Sequence, residues 1–397
     1  MINKELVEKI KKYSDKYTDY TAANLSKLVK IISLSGQEKE VQAEVMRQMN
    51  EAGFDEVRMD GLGNVIGRIG NGSKILAIDG HIDTVDVGNP DNWNKDPFSG
   101  EIADGFVYGR GTVDQKGGIA SFITAGRIIK ETGVPDDVCI YFVASVIEED
   151  CDGLCWKYII EEEKIIPNFV ISTEPTNLNV YRGQRGRMEI RATFRGVSSH
   201  GSAPERGVNA VYMASRVALE VEKLNEKLAS DSFLGKGSIT ISEFVSGSPS
   251  LCAVADYAHL HLDRRLTWGE TLESAMAEVQ ALLPAENAKA ECLYYEGLAF
   301  TGLPYGMKKY YPTWKMEESS EVVQFGIEAS SLVFGEKRET GKWTFSTNGV
   351  TINGIYGIPT IGFGPGNEVM AHAPNEKIPV SDLTAATAFY AIYANLI

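Results

Sequence analysis

Through residues 4–50, apolar positions recur at helical spacing in two amphipathic patterns, the second ending near Gly53. Short β-like runs follow at Glu56–Met59 and Asn64–Arg68, and a turn at Asn71-Gly72 leads into the apolar run Ile75–Asp79. A Gly/Pro/Asn-rich loop then precedes a helical stretch from Gln115 to about Glu131. Residues 138–147, VCIYFVASVI, form an unbroken β-branched and aromatic run. Such a run predicts a strand buried on both faces, as in parallel sheets. A helix near 154–163 and a strand at Asn168–Ser172 complete an alternating α/β pattern.

The style changes after about Tyr181. A strand at 186–195, a helix at 207–228, strands at 237–245 and 253–264, a helix at 270–283 and a strand near 289–296 spell a βαββαβ unit, the ferredoxin-like order. From about 318 the helix-then-strand style returns. The expected fold is therefore α/β: a catalytic domain with a mixed sheet flanked by helices, built from residues 1–182 and 297–397, with a ferredoxin-like lid and dimerisation domain of residues 183–296 inserted.

Composition narrows the classes of function. The 397 residues suit two domains, with 43% hydrophobic and 23% charged positions as in ordinary globular proteins. A formal net charge of -15 and the lack of a dense Lys/Arg stripe argue against a nucleic acid partner. No long apolar run predicts a membrane span, and MINKELVEKIKKYSDKY lacks the apolar stretch of a secretory signal. The 5 cysteines, odd in number and scattered, read as reduced thiols in a cytoplasmic protein.

Candidate chemistry sits where apolar runs end. Ile78-Asp79-Gly80-His81-Ile82-Asp83 closes one of them with His-x-Asp, which alternation places on one side of the strand. His81 is thus a candidate metal ligand and Asp83 its carboxylate partner, since a ligating imidazole commonly donates its second N–H to a carboxylate. In Tyr108–Gly118, glycines flank Asp114 just before a helix; there is no GxxxxGK[ST], so a P-loop is excluded, and a helix N-cap is the plain alternative. Glu148-Glu149-Asp150 follows the buried strand, where a charged triplet needs cations or solvent. Ser172-Thr173-Glu174 and Met370-Ala371-His372 close the series. Together His81, Asp114, Glu149, Glu174 and His372 make a mixed N/O donor set suited to zinc, with cobalt or manganese as substitutes, and one bridging carboxylate can serve two ions.

The pieces GHIDTV, YGRGTVDQKGG, the EE pair, STEPT, GVSSHGSAPERGVNA, LDRRL and FGPGNEVMAHAPNE, in this order, span nearly the whole chain. They resemble the dizinc amidohydrolases that include acetylornithine deacetylase, succinyl-diaminopimelate desuccinylase, aminoacylase and glutamate carboxypeptidase. Within that family the YgeY-type branch of selenium-metabolism-linked hydrolases is the most similar. The resemblance implies an enzyme holding two divalent ions: Asp114 bridges, His81 and Glu174 complete one ion's set, and Glu149 and His372 the other's. It implies Glu148 as general base on a water shared by the metals and then acid toward the leaving amine, with Asp83 orienting His81. A cis peptide is implied at Asp114-Gln115. His200, supplied by the partner subunit of a homodimer formed through the inserted domain, is implied as an oxyanion donor. Arg265 would grip the carboxylate of a small-molecule substrate through a bidentate fork, and Asn348-Gly349 and Gly364–Gly366 would line the substrate pocket.

Other motifs read first as structure. His259 and His261 share a strand face with Tyr257, Asp263 and Arg265; Cys151 and Cys155 read as buried thiols near a helix start. Arg182, Arg185 and Arg187 read as salt-bridging residues at an interdomain hinge, with anion recognition second. The competing reading of the whole chain is a non-catalytic binding protein that kept the fold, which loss of a ligand or of Glu148 would favour. Both are present.

Overall fold

The computed structural model describes residues 2–397. A mixed nine-stranded sheet forms the larger layer. Its centre is four parallel strands in the order Val138–Ser145, Lys74–His81, Phe169–Ser172 and Thr360–Gly362. Antiparallel strands extend both sides, Val65–Gly70 and Glu56–Met59 on one and Val180–Gln184 on the other. Val138–Ser145 is buried almost throughout, as its uninterrupted apolar sequence requires. Parallel pairing brings the C-terminal ends of the central strands to one edge, the edge at which open α/β sheets bind ligands.

The helix Lys116–Thr132 follows Asp114 and packs against this edge. Gly118 permits the approach: a Cβ there would lie 2.3 Å from Thr173 Oγ1. Thr173 Oγ1 instead donates to Gln115 Oε1 at 2.7 Å, which ties the Asp114 loop to the strand end that carries Glu174.

A second, five-stranded antiparallel sheet takes the order Ser238–Gly247, Tyr257–Leu266, Gly186–Arg195, Ala288–Cys292, with Tyr310–Tyr311 also paired to Gly186–Arg195. Helices Ala210–Lys227 and Leu272–Gln280 complete a βαββαβ connection. Tyr257–Leu266 alternates half-buried and buried, and its buried apolar residues, Ala258, Leu260, Leu262 and Leu266, join a core separate from that of the large sheet.

Three features depart from the sequence reading. Residues 4–51 hold three helices, not two, because the chain breaks at Tyr17, where neither Gly nor Pro announces a stop. The strand Val180–Gln184 is too short and polar to show a period. The strand expected near 289–296 is two: Ala288–Cys292 stays in the smaller sheet, and Tyr294–Leu298 turns away to pair with Pro304–Lys308.

Candidate metal centre

Each cluster residue comes from a strand end or a loop that the sheet positions. His81 is the last residue of its strand, Glu148 and Glu149 follow Ser145, and Glu174 follows Ser172. Asp114 precedes the helix Lys116–Thr132, and its bond to Gln115 is cis. His372 arrives from the loop after Thr360–Gly362.

Asp114 lies between the two imidazoles. His81 Nε2 is 2.9 Å from Asp114 Oδ1, and His372 Nε2 is 3.3 Å from Asp114 Oδ2. On the His81 side Glu174 Oε1 is 3.7 Å from Nε2; on the His372 side Glu149 Oε2 is 3.0 Å from Nε2. Glu148 Oε2 stands 4.0 Å from His81 Nε2. His81 is nearly sealed at 1% side-chain exposure, whereas His372 is open at 54%.

The electrostatics are those of several carboxylates crowded into one buried site. Burial drives Glu148 and Glu174 well above the usual carboxylate range, and burial followed by the charge of Asp114 raises Glu149. Burial opposes ionisation of Asp114 too, but hydrogen bonds from His372 and His81 outweigh it and hold the group below its usual value. Glu148 Oε1, Glu149 Oε1 and Glu174 Oε2 are buried without a partner. Unpartnered buried carboxylate oxygens beside two imidazoles suit divalent cations, and two overlapping groups, His81–Asp114–Glu149 and His81–Glu148–Glu174, have ligand atoms within 4.8 Å of one another.

Asp83 does more than the expected pairing. His81 Nδ1 is nearest the backbone oxygen of Asp83, at 2.8 Å, with the carboxylate farther at 3.5 Å. That carboxylate instead accepts from the backbone amides of Glu148 and Glu149, at 3.2 and 3.1 Å, and from Ser35 Oγ at 2.7 Å. Ile147, just before the pair, has a φ of 61°, an uncommon conformation for a β-branched residue. Its amide donates to Glu38 Oε1 at 3.1 Å, and burial with the nearby charge of Asp83 pushes Glu38 up to about 8.

Glu376, which sequence reasoning passed over inside the quoted HAPNE segment, organises the Asp114 loop. Its Oε1 accepts from the amides of Val113 and Asp114 at 2.7 and 3.1 Å. Its Oε2 accepts from Arg110 Nη1 at 2.8 Å and the Gly111 amide at 3.1 Å. Burial pushes Glu376 up to about 7, against the pull of Arg110. Its one sequence signal is a charged residue that the glycine-rich loop needs as an acceptor.

A cavity of about 320 Å³ opens over the cluster and includes Arg265 on its lining. The Arg265 guanidinium is engaged with Asp263 on its own strand, at 2.7 and 3.0 Å. His200 is exposed, hydrogen bonds Ser202 Oγ at 2.7 Å, and does not line this cavity. Asn348, expected to line the substrate pocket, is buried, and its side-chain amide makes four hydrogen bonds. Its Nδ2 donates to Asp79 Oδ2 and Ser145 Oγ at 3.0 and 3.2 Å; its Oδ1 accepts from the Gly153 amide and Cys155 Sγ at 2.9 and 3.1 Å. Cys151 and Cys155 are buried, and burial pushes the Cys151 thiol up to about 12. His259 and His261 engage Glu243 and Glu189 across the smaller sheet.

Fold and site together define a metal-dependent hydrolase of the α/β class. The chain belongs to the family described as Peptidase family M20/M25/M40, whose model matches residues 77–395. Uncharacterized protein YgeY of Escherichia coli (strain K12) is 49% identical over 390 residues, covering 98% of this chain and 96% of that protein. Succinyl-diaminopimelate desuccinylase of Cereibacter sphaeroides (strain ATCC 17029 / ATH 2.4.9) is 27% identical over 91% of this chain and 95% of its own length. In fold, the chain is similar to aminopeptidase PepT from Bacillus cereus ATCC 10987, with a TM-score of 0.73 at 23% identity over 96% of this chain and 98% of that one. Among the described residues no helix is long and apolar enough to cross a membrane.

Proposed function

We propose that this chain hydrolyses an amide bond in a small, carboxylate-bearing amino-acid derivative: a dipeptide, an N-acyl or an N-carbamoyl amino acid. The family makes the reaction class metal-dependent amide hydrolysis. In our reading His81, Asp114 and Glu174 hold one divalent cation and His372, Asp114 and Glu149 the other, with zinc the ion that the mixed donors favour. One observation carries the reading: Asp114 directs one oxygen toward each imidazole while Glu148, beside it, keeps Oε1 free.

When bound, the cations supply Lewis acidity that makes water nucleophilic near neutral pH and polarises the scissile carbonyl. Glu148, buried on the cavity lining, takes the proton from water and passes it to the leaving amine. Asp83 holds Glu148 and Glu149 in place through their amides, so that one carboxylate ligates while its neighbour moves protons. Arg265 exchanges Asp263 for the substrate carboxylate, a bidentate acceptor of the same shape.

We assign His200 to act in trans, as the partner subunit's His200 at the oxyanion, in a homodimer formed through the smaller sheet. Supporting this, Ser238–Gly247 is an edge strand with Phe244 and Val245 exposed. The five free cysteines support a reducing, cytoplasmic setting.

Glu148→Gln tests the assignment. The variant should keep its metal by mass spectrometry and lose turnover by about 10²–10⁴-fold. Turnover at the wild-type level would refute the role of Glu148.

A further inference from the structure

The cavity above the metal ligands has a polar corner that the reaction does not use. Arg187, on the strand Gly186–Arg195, and Asp152, in the turn after Glu149, both line it. Arg187 Nε and Asp152 Oδ2 are each buried without a hydrogen-bond partner. They lie 3.9 Å apart, close enough to balance charge and too far to bond each other. A donor and an acceptor therefore stand side by side, both unspent, on two residues that line one cavity.

The corner is rigid. The Arg187 guanidinium lies over the Tyr311 ring at 4.8 Å, and Tyr311 is fully buried. Arg187 Nη2 reaches Glu189 Oε1 at 3.5 Å. Glu189 is itself held by Lys309 Nζ at 2.9 Å and His261 Nε2 at 3.1 Å. With Nη2 on Glu189, Nε of Arg187 is still without a hydrogen-bond partner.

Charge decides what fits. Asp152 stands against the charge of Arg187 and Lys309 against that of Glu189, so a further carboxylate would bring a negative charge with no cation left to balance it. A neutral group that accepts from Nε–H and donates to Asp152 satisfies both atoms without adding charge. A carboxamide or a ureido group has this shape: a carbonyl oxygen next to an N–H.

We propose that Arg187 and Asp152 form a specificity subsite for a non-scissile carboxamide or ureido group of the substrate, separate from the carboxylate held at Arg265. This rests on the hydrolase reading above and narrows its substrate class. The subsite selects amides because an apolar isostere leaves two buried polar atoms unpaired.

The test compares glutamine, glutamate and methionine derivatives, each as the N-acetyl amino acid and in glycyl dipeptides of both orders. Zinc-loaded wild-type protein should favour the glutamine forms by about ten- to a hundred-fold in kcat/KM over both others. Arg187→Met and Asp152→Asn, checked for fold by circular dichroism and for zinc content, should each flatten that preference. Equal rates for glutamine and methionine forms overturn the subsite, as does a preference for glutamate. The same compounds are titrated calorimetrically into zinc-loaded Glu148→Gln protein. Preferential binding of glutamine forms that wild-type protein leaves uncleaved would keep the subsite and overturn the hydrolase reading. Cleavage without preference would do the reverse, and neither binding nor cleavage of any compound would overturn the subsite.

Discussion

Glu148 is held by Asp83: its backbone amide donates to Asp83 Oδ1 at 3.2 Å. The same carboxylate takes the Glu149 amide on its other oxygen and Ser35 Oγ besides. The residue read from sequence as a partner for one imidazole is therefore the clamp on both acidic residues of the next strand end. Asp83→Ala should strip those amides of their acceptor and lower activity or zinc affinity by about 10–100-fold. Steady-state kinetics with a zinc titration read this; wild-type values in both would remove Asp83 from the site's support.

Metal should stabilise the fold as well as serve the reaction. Glu148, Glu149, Glu174 and Asp114 crowd around two imidazoles, and several of their oxygens are buried and unpaired. Removing the bound divalent metal with dipicolinate should abolish turnover and lower Tm; restoring it to a hundredfold excess over Kd should return about 2.7 kcal/mol. Scanning calorimetry of stripped and reloaded protein makes the comparison, and identical transitions would contradict the cation fit.

Asn348 separates packing from substrate contact. Its amide bridges Asp79 and Ser145 on two central strands to Gly153 and Cys155 after the Glu148 turn. Asn348→Ala should cost about 1–3 kcal/mol or more in urea unfolding, because buried partners lose their bonds. KM of the surviving folded enzyme should change little. A raised KM with unchanged stability would support the pocket role expected from sequence.

The ion pair of Asp231 and Lys315, at 2.8 Å, joins the hairpin before Ser238–Gly247 to the strand Trp314–Lys315 of the large sheet. The hydrogen bond from Lys315 leads the causes that lower Asp231 from 3.8 to about 2. A depressed carboxylate stabilises the fold above its unfolded pKa, and that contribution fades as pH falls through the folded pKa. Lys315→Met should therefore lower the urea midpoint above pH 3.8, with the gap from wild type closing toward about pH 2. A gap constant through that window would show that the charge pair contributes nothing.

The linear chain was enough for what depends on local period and on residue type. The run VCIYFVASVI reads as a strand covered on both faces, because no alternation offers a solvent side and its residues are β-branched and aromatic, and the strand Val138–Ser145 is buried almost throughout. His81, Glu149 and Glu174 were legible because each closes such a run, and parallel pairing gathers those ends at one edge. Other features arise between segments far apart in sequence. Nothing local distinguishes Asn348, which bonds Asp79 across 269 positions, from an asparagine on a pocket wall. Likewise Arg187 sits in an ordinary alternating strand, and only the packing of Tyr311 beneath it and Asp152 beside it turns it toward the cavity. Periodicity records which face a residue takes within its own element; the partner on that face is decided when elements pack, and hydrogen bonds and charge then follow from distances that no single segment contains.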